Sequence, residues 1–287
     1  MVIKLTRKYA TEEFKKLIEI IIDDYQKNGK SILQLSREYD VNYHRIRDWF
    51  RKMNVPIIGN DVHSRKYKYN ENFFDVIDNE EKAYWLGFIY ADGYITKRGN
   101  TFQLGISLSR EDRNHLEKLI KSLNSNLIIH DYTQKTAYKP NTKYSRIIIS
   151  NSHICEQLIN KGCVRNKTNV LTFPSTDIVP QNLINHFIRG YFDGDGCLTG
   201  SKHQKRNVYV YQIKIVGTKE MLEGINNYLP INKKLYLRKR RNNQKNNYTL
   251  EIGGKKQVEL ILDYLYNDAT IYLDRKYKKY LEFKINS

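Results

Sequence analysis

The sequence predicts an α+β protein: two pseudo-symmetric αββαββα copies whose sheets are left open on one side as a saddle, preceded by a small all-α module. Three observations predict it. Trp85-Leu-Gly-Phe-Ile-Tyr-Ala-Asp-Gly93 and Ile188-Arg-Gly-Tyr-Phe-Asp-Gly-Asp-Gly196 share one pattern of apolar residues, small residues and a closing Asp-Gly, and the closing aspartates, Asp92 and Asp195, lie 103 residues apart. Behind each segment, period-two and period-3.6 stretches follow in the same order. Ahead of both, residues 11–53 carry helical periodicity alone.

Residues 11–27 read as a helix, because Phe14, Leu17, Ile18, Ile21, Ile22 and Tyr25 recur at helical spacing behind Thr11 as an N-cap. Residues 31–39 and 42–53 form two short helices about Asp40-Val41, with Ile32, Leu35, Val41, Ile46, Trp49 and Phe50 at core spacing. This is a helix-turn-helix pattern, giving a module of residues 1–56. Its last helix turns Tyr43, His44, Arg45, Arg47, Asp48 and Arg51 outward, where its N-terminal residues can face base edges in a major groove. A three-helix structural cap with a solvated basic face is the other reading. Residues 57–79 turn polar and basic, with Arg65-Lys-Tyr-Lys-Tyr69, and read as a linker.

The first copy, residues 80–163, opens with the helix that ends at Asp92. A short strand over 94–97, a strand over 101–108 and a helix over 111–123 follow, then strands near 127–132 and 144–150 and a helix over 153–161. Residues 164–180 link it to the second copy, residues 181–287, with strands near 197–199, 208–216, 234–241 and 248–253, helices over 219–228 and 256–266, and a final helix from Leu273. In the strand from Lys234, Leu235 and Leu237 point one way while Tyr236, Arg238 and Arg240 point the other. Gln212 and Lys214 share that face, as do Gln103 and Arg146 in the first copy. Arg and Gln in a groove can read base edges; ordinary solvated strands are the alternative.

Lys+Arg 49 against Asp+Glu 31 leaves a formal charge of +18, too large for an ordinary enzyme acting on a small neutral substrate. The charge predicts a polyanionic partner, nucleic acid first, because neutralised phosphates release counterions. A membrane surface is the weaker alternative: there is no signal-peptide pattern, no apolar run near the ~20 residues of a span, and no helix with one consistently basic face. Cys155, Cys163 and Cys197 are odd in number and lack C-x-x-C spacing, as expected of thiols in a reducing cytosol.

Read as helices, the twin segments place Gly87 and Ala91, and equally Gly190 and Gly194, one turn apart on one face, where small residues let two backbones approach closely. Parallel packing then brings Asp92 and Asp195 to the same end. Two adjacent carboxylates repel unless they share a proton or recruit a cation, and hard oxygen donors that leave room for water suit Mg²⁺. No Cys or His stands immediately beside either aspartate, so zinc fits poorly. For one segment alone, Asp-Gly simply ending a helix would be an equal reading; two matching copies favour function.

At these residues the chain resembles the single-chain, two-motif LAGLIDADG (dodecapeptide) homing endonucleases. Phe73-Phe74, residues 102–119, Lys167-Thr168, Phe173-Pro174 and Asp268-Ala-Thr-Ile-Tyr-Leu-Asp-Arg-Lys276 extend the likeness over about residues 70–283. The resemblance implies a DNA-binding saddle and a divalent-metal endodeoxyribonuclease, with Mg²⁺ as cofactor and Mn²⁺ as substitute. It implies Asp92 and Asp195 as ligands, aided by the carbonyls of Ala91 and Gly194, and a double-strand break across the minor groove with a short 3′ overhang. Aligning the copies by their last helices places the family's pocket lysine at Lys256, beside Lys255, and leaves Ser152 beside Asn151 in the first copy. On that alignment the half-sites are unequal, and unequal strand cleavage is expected. Tyr90, where the second copy has Asp193, is expected to pack or cap.

The expected partner is double-stranded DNA with a long asymmetric target, bound by a monomer, since both half-sites are in one chain. Two alternatives stay open: an RNA maturase on the same fold, with intron RNA as partner, and a DNA-binding regulator that works through residues 1–56. Without a nucleophilic Cys or Ser at its start or His-Asn at its end, the sequence reads as free-standing or intron-encoded.

Overall fold

The computed structural model describes residues 12–57, 67–99, 101–134, 141–164, 167–203, 208–237 and 246–285. Three helices form where the spacing calls for them: α1 (Glu12–Gln26), α2 (Ile32–Glu38) and α3 (Tyr43–Lys52); Thr11, the expected N-cap of α1, lies outside the described residues. Ser31 caps α2 reciprocally, its Oγ accepting from Gln34 N–H at 3.2 Å while Gln34 Oε1 accepts from Ser31 N–H at 2.8 Å. Asp40 takes the left-handed conformation (φ 49°) in the turn between α2 and α3, and the Asn42 side chain accepts from His44 N–H. Ile18, Ile21, Tyr25, Ile32, Leu35, Val41, Ile46, Trp49 and Phe50 close one core, with Phe14, Leu17 and Ile22 at its margin.

The chain divides into two compact units, Met1–Lys68 and Tyr69–Ser287. The expected linker ends earlier than residue 79. Phe73, Phe74 and Ile77 are buried in the second unit, and His153 Nε2 lies 2.7 Å from Asp75 Oδ1. Too short a stretch to show a period can still fill a core.

In the second unit, α4 (Glu80–Asp92), β1 (Gly93–Arg98), β2 (Thr101–Ser109), α5 (Arg113–Ser122), β3 (His130–Gln134), β4 (Thr142–Ser150) and α6 (Ser152–Asn160) make the first copy. The second comprises α7 (Ile184–Asp195), β5 (Gly196–His203), β6 (Val208–Gly217), α8 (Lys219–Tyr228), β7 (Leu235–Leu237), β8 (Tyr248–Gly253) and α9 (Lys255–Tyr266), followed by α10 (Asp274–Ile285). The sheets are antiparallel and ordered alike, β1-β2-β4-β3 and β5-β6-β8-β7. The predicted αββαββα order therefore holds in both copies. Strand β5 runs beyond its expected end because pairing with β6 carries it from Gly196 to His203, through residues with little strand propensity of their own.

Helices α4 and α7 lack a polar side. Every residue from Ala83 to Ala91 and from Phe187 to Asp193 is buried, as expected of helices walled in by each other, their own sheets and the flanking helices.

Candidate active site at the paired helix ends

Glycines set the approach of α4 and α7. A Cβ on Gly87 would stand 2.0 Å from Phe187 O, and one on Gly190 would stand 2.0 Å from Tyr84 O, so backbone meets backbone at two positions related by the internal repeat. One turn on, a Cβ on Gly194 would meet Ala91 Cβ at 2.3 Å and Asp92 Oδ2 at 3.2 Å. The four residues expected at the helix contact are all there. The carboxylate of Asp92 accordingly lies against the backbone that carries Asp195.

Asp92 is half-buried and Asp195 open to solvent, yet thick protein surrounds both. Desolvation first, and then the charge of Asp195, push the Asp92 carboxyl up to about 6. Burial also raises Asp195, against the pull of Lys167, Lys276 and a hydrogen bond from Tyr191. A pair of crowded, partly desolvated carboxylates is suited to a cation. Among the described residues no group of three or more His, Cys, Asp and Glu side chains gathers to hold a metal ion.

Two lysines close the helix ends. Lys167 Nζ donates to Ile89 O at 3.0 Å, Tyr90 O at 2.6 Å and Ala91 O at 2.5 Å, capping α4. Lys276 Nζ donates to Phe192 O and, at 2.6 Å, to Gly196 O, capping α7. Each ammonium meets the negative end of a helix dipole. Burial lowers both, Lys276 to about 8.

Lys256 is exposed in the first turn of α9, and the cations acting on Asp195 are Lys167 and Lys276. Asn151 and Ser152, expected at the matching place in the first copy, serve the local fold: Asn151 Oδ1 accepts from Ile154 N–H at 2.8 Å, and Ser152 Oγ faces Phe102 N–H at 3.5 Å. Each of the two helix ends, α4 and α7 alike, is met by a lysine. The carbonyl of Ala91 is engaged by Lys167. Among the described residues no side chain donates to that of Gly194, Lys276 reaching the carbonyls of Phe192 and Gly196 instead.

The position held by Tyr90 and Asp193 ties each helix to the end of its own copy. Tyr90 donates to Lys161 O, and Gly162, at φ 99°, leaves room where a Cβ would stand 2.2 Å from the Tyr90 hydroxyl. Asp193 accepts from Tyr84 and Tyr266 hydroxyls at 2.7 and 2.6 Å and from Leu273 N–H at 2.7 Å.

Strand register places Gln103 and Arg146 on one outward face, with Ser107 between them on neighbouring strands. Gln103 Nε2 donates to Ser150 Oγ at 2.8 Å. Arg146 Nε donates to Ser107 Oγ at 3.1 Å, its guanidinium lying over the rings of Tyr132 and Tyr144. In the second sheet Gln212, Lys214 and Tyr236 share the corresponding face. Glu251, unremarked in the sequence, pairs with Lys214 at 3.0 Å and accepts from Gln212 at 3.4 Å. Arg238 and Arg240 lie outside the described residues. In the first unit His44, Arg45 and Arg51 are exposed, while Tyr43 and Arg47 are half-buried, Arg47 over the ring of Tyr43 and Arg45 over those of Phe14 and Trp49.

Paired acidic helix ends in a duplicated αββαββα body define a class, and comparison with known proteins agrees. Residues 79–158 and 182–266, together more than half of the chain, match the family described as LAGLIDADG-like domain. The chain belongs to that family. It is 25% identical over 237 residues to the replication factor C small subunit of Methanocaldococcus jannaschii, a match covering 82% of this chain but only 12% of that protein. Among solved structures, the homing endonuclease I-WcaI bound to its DNA recognition sequence matches with 15% identity and a TM-score of 0.51, covering 72% of this chain and 90% of that one. The LAGLIDADG homing endonuclease I-GzeII in complex with its DNA target matches with 11% identity and a TM-score of 0.48, over 72% and 89% of the two chains. The likeness to I-WcaI is one of fold.

Proposed function

We propose that the chain is a site-specific endonuclease that cuts both strands of a long asymmetric DNA target. The observation that carries this reading is the junction of α4 and α7, where two carboxylates crowd together and each helix end is capped by a lysine. The metal-ligating atoms offered there are carboxylate and carbonyl oxygens, a set that fits Mg²⁺, with Mn²⁺ as substitute. Asp92 and Asp195 would hold the metal with the carbonyl of Gly194; that of Ala91 would join only by sharing with Lys167. Bound metal supplies an activated water and a charge on the scissile phosphate.

The chain's own residues do the rest. Lys167 and Lys276 hold the helix ends still and place positive charge where a phosphate must approach. The outward faces bearing Gln103, Arg146, Gln212, Lys214 and Tyr236 suit a DNA groove. Lys214 is already neutralised by Glu251, which makes that pair a candidate reader of a base pair more than of phosphate. Arg238 and Arg240 extend the sequence pattern of the same strand. The first unit, through His44, Arg45, Arg47 and Arg51 with Tyr43, would add a major-groove contact. One chain carries both half-sites, so it would act as a monomer.

The test is to incubate purified protein with a randomised or insertion-site DNA library, with Mg²⁺ and with EDTA, and sequence the ends. Mg²⁺-dependent ends at one long site with a short 3′ overhang are expected, and Asp195→Asn should abolish them while a gel shift persists. Undiminished cutting by Asp195→Asn would overturn the site. Binding without ends in the wild type would redirect attention to intron RNA.

A further inference from the structure

Each lysine cap is delivered by a chain segment with anchors on the opposite copy, the segment of Lys276 being held also by its own copy through Leu273 N–H to Asp193 and Arg189 Nε to Ile271 O. Lys276, which caps α7 of the second copy, follows a strap that is fastened to the first: Lys118 of α5 donates to Tyr272 O at 2.9 Å and Asp274 Oδ1 at 2.6 Å, and Arg275 Nε donates to both carboxylate oxygens of Asp112 at 3.0 and 2.9 Å. Further back, Thr270 N–H donates to Glu80 Oε1 at 2.9 Å. Lys167, which caps α4 of the first copy, sits in a short turn (Lys167–Asn169) fastened to the second: Asn246 Nδ2 donates to Asn169 O at 3.1 Å and the Thr218 hydroxyl donates to Leu171 O.

We infer that these crossed straps are separate positioning devices, one for each strand cut, so that loosening one turns the enzyme into a nickase of defined strand. The inference rests on the nuclease reading above. Asp112 and Lys118 would act through Lys276 on the half-site at the end of α7. Thr218 and Asn246 would act through Lys167 on the half-site at the end of α4. A strap freed from its anchor lets the ammonium drift, and a misplacement of about 1 Å can cost on the order of 100-fold in rate.

The experiment uses full-length protein and a supercoiled plasmid carrying the target, with the nicked strand identified by end sequencing. Asp112→Ala/Lys118→Ala should accumulate nicked circles cut in one strand, the other strand slowed about 10- to 100-fold. Thr218→Ala/Asn246→Ala should leave the opposite strand uncut. Asp112→Glu/Lys118→Arg, which keeps both charges, should restore linear product, and Lys121→Ala, on the same helix as Lys118, should behave as wild type. Thermal melting of each variant separates lost fold from lost positioning, because an unfolded fraction slows both strands alike. Equal slowing of both strands in folded variants, or the same strand spared by both double variants, would overturn the crossed straps while leaving the nuclease reading intact. A wild type that cuts neither strand would sink that reading itself.

Discussion

At the scale of single residues, the site turns on which lysine faces which carboxylate. Lys167 and Lys276 touch the helix ends beside Asp92 and Asp195, whereas Lys256 is exposed. Replacing Lys167 or Lys276 by Met should lower cleavage on the order of 100-fold, and Lys256→Ala should stay within about threefold of wild type, read as single-turnover rates on the identified target. His115 makes a second residue-scale case. It is buried beside Tyr84, Trp85 and Phe88, faces the positive charges of Lys118, Arg275 and Lys276, and its Nε2 lies 3.0 Å from the Tyr84 hydroxyl. Burial, and then those charges, hold its pKa down to about 3 from 6.5. The unfolded chain therefore takes up this proton first. The contribution of this group to stability is constant above about pH 6.5 and falls as pH drops towards 3, by up to roughly 5 kcal/mol. Roughly 3 kcal/mol of that loss falls between pH 7 and pH 4.5, and in urea unfolding at those two values wild type should lose that much more stability than a His115→Phe variant.

At the scale of elements, α4 and α7 could not pair as they do with any residue larger than glycine at two positions. Gly190→Ala forces a Cβ to within 2.0 Å of Tyr84 O, and the neighbour is backbone, which cannot rotate away. The helices must separate. We expect about 3 kcal/mol of lost stability, measured by urea denaturation. Cleavage should fall further than the remaining folded fraction explains, since the carboxylates move apart with the helices. Gly87→Ala should match it, because Phe187 O stands at the same distance on the mirrored side. Equal costs at the two sites would support the internal two-fold; a silent substitution at either would contradict the geometry. Arg189 adds a clamp here: fully buried in α7, it reaches Glu80 at the start of α4 at 2.6 Å and the carbonyls of Leu265 and Ile271. Such a charge is tolerable inside the body because every direction it points in is answered.

At the scale of the whole molecule, a formal charge of +18 suits a polyanionic partner. Affinity for target DNA should fall linearly in log–log terms with salt, with a slope of about −0.9 per phosphate neutralised. A fluorescence-anisotropy titration between low and moderate salt measures it, and a slope near zero would remove phosphate contact from the account. Sedimentation of the protein on its target should show one chain per duplex; an obligate dimer would count against a body that already contains both half-sites.

The sequence by itself determined the duplication, the class of each element, the glycine contact and the pair of carboxylates, because these are written in local period and in residues whose small size or charge has few other uses. The α1 to α3 core was legible position by position for the same reason. What only the tertiary structure decided was which distant residues meet those signals. Lys167 and Lys276 lie 75 or more positions from the carbonyls they cap. Lys276 stood within the stretch from Asp268 to Lys276 without its role being readable. The partnership of Lys214 with Glu251 and the anchoring of each strap on the opposite copy were equally invisible. A linear pattern records what a residue's neighbours along the chain require of it. A lysine that caps a helix end obeys instead the geometry of closed layers, and that geometry exists only once the two copies have packed.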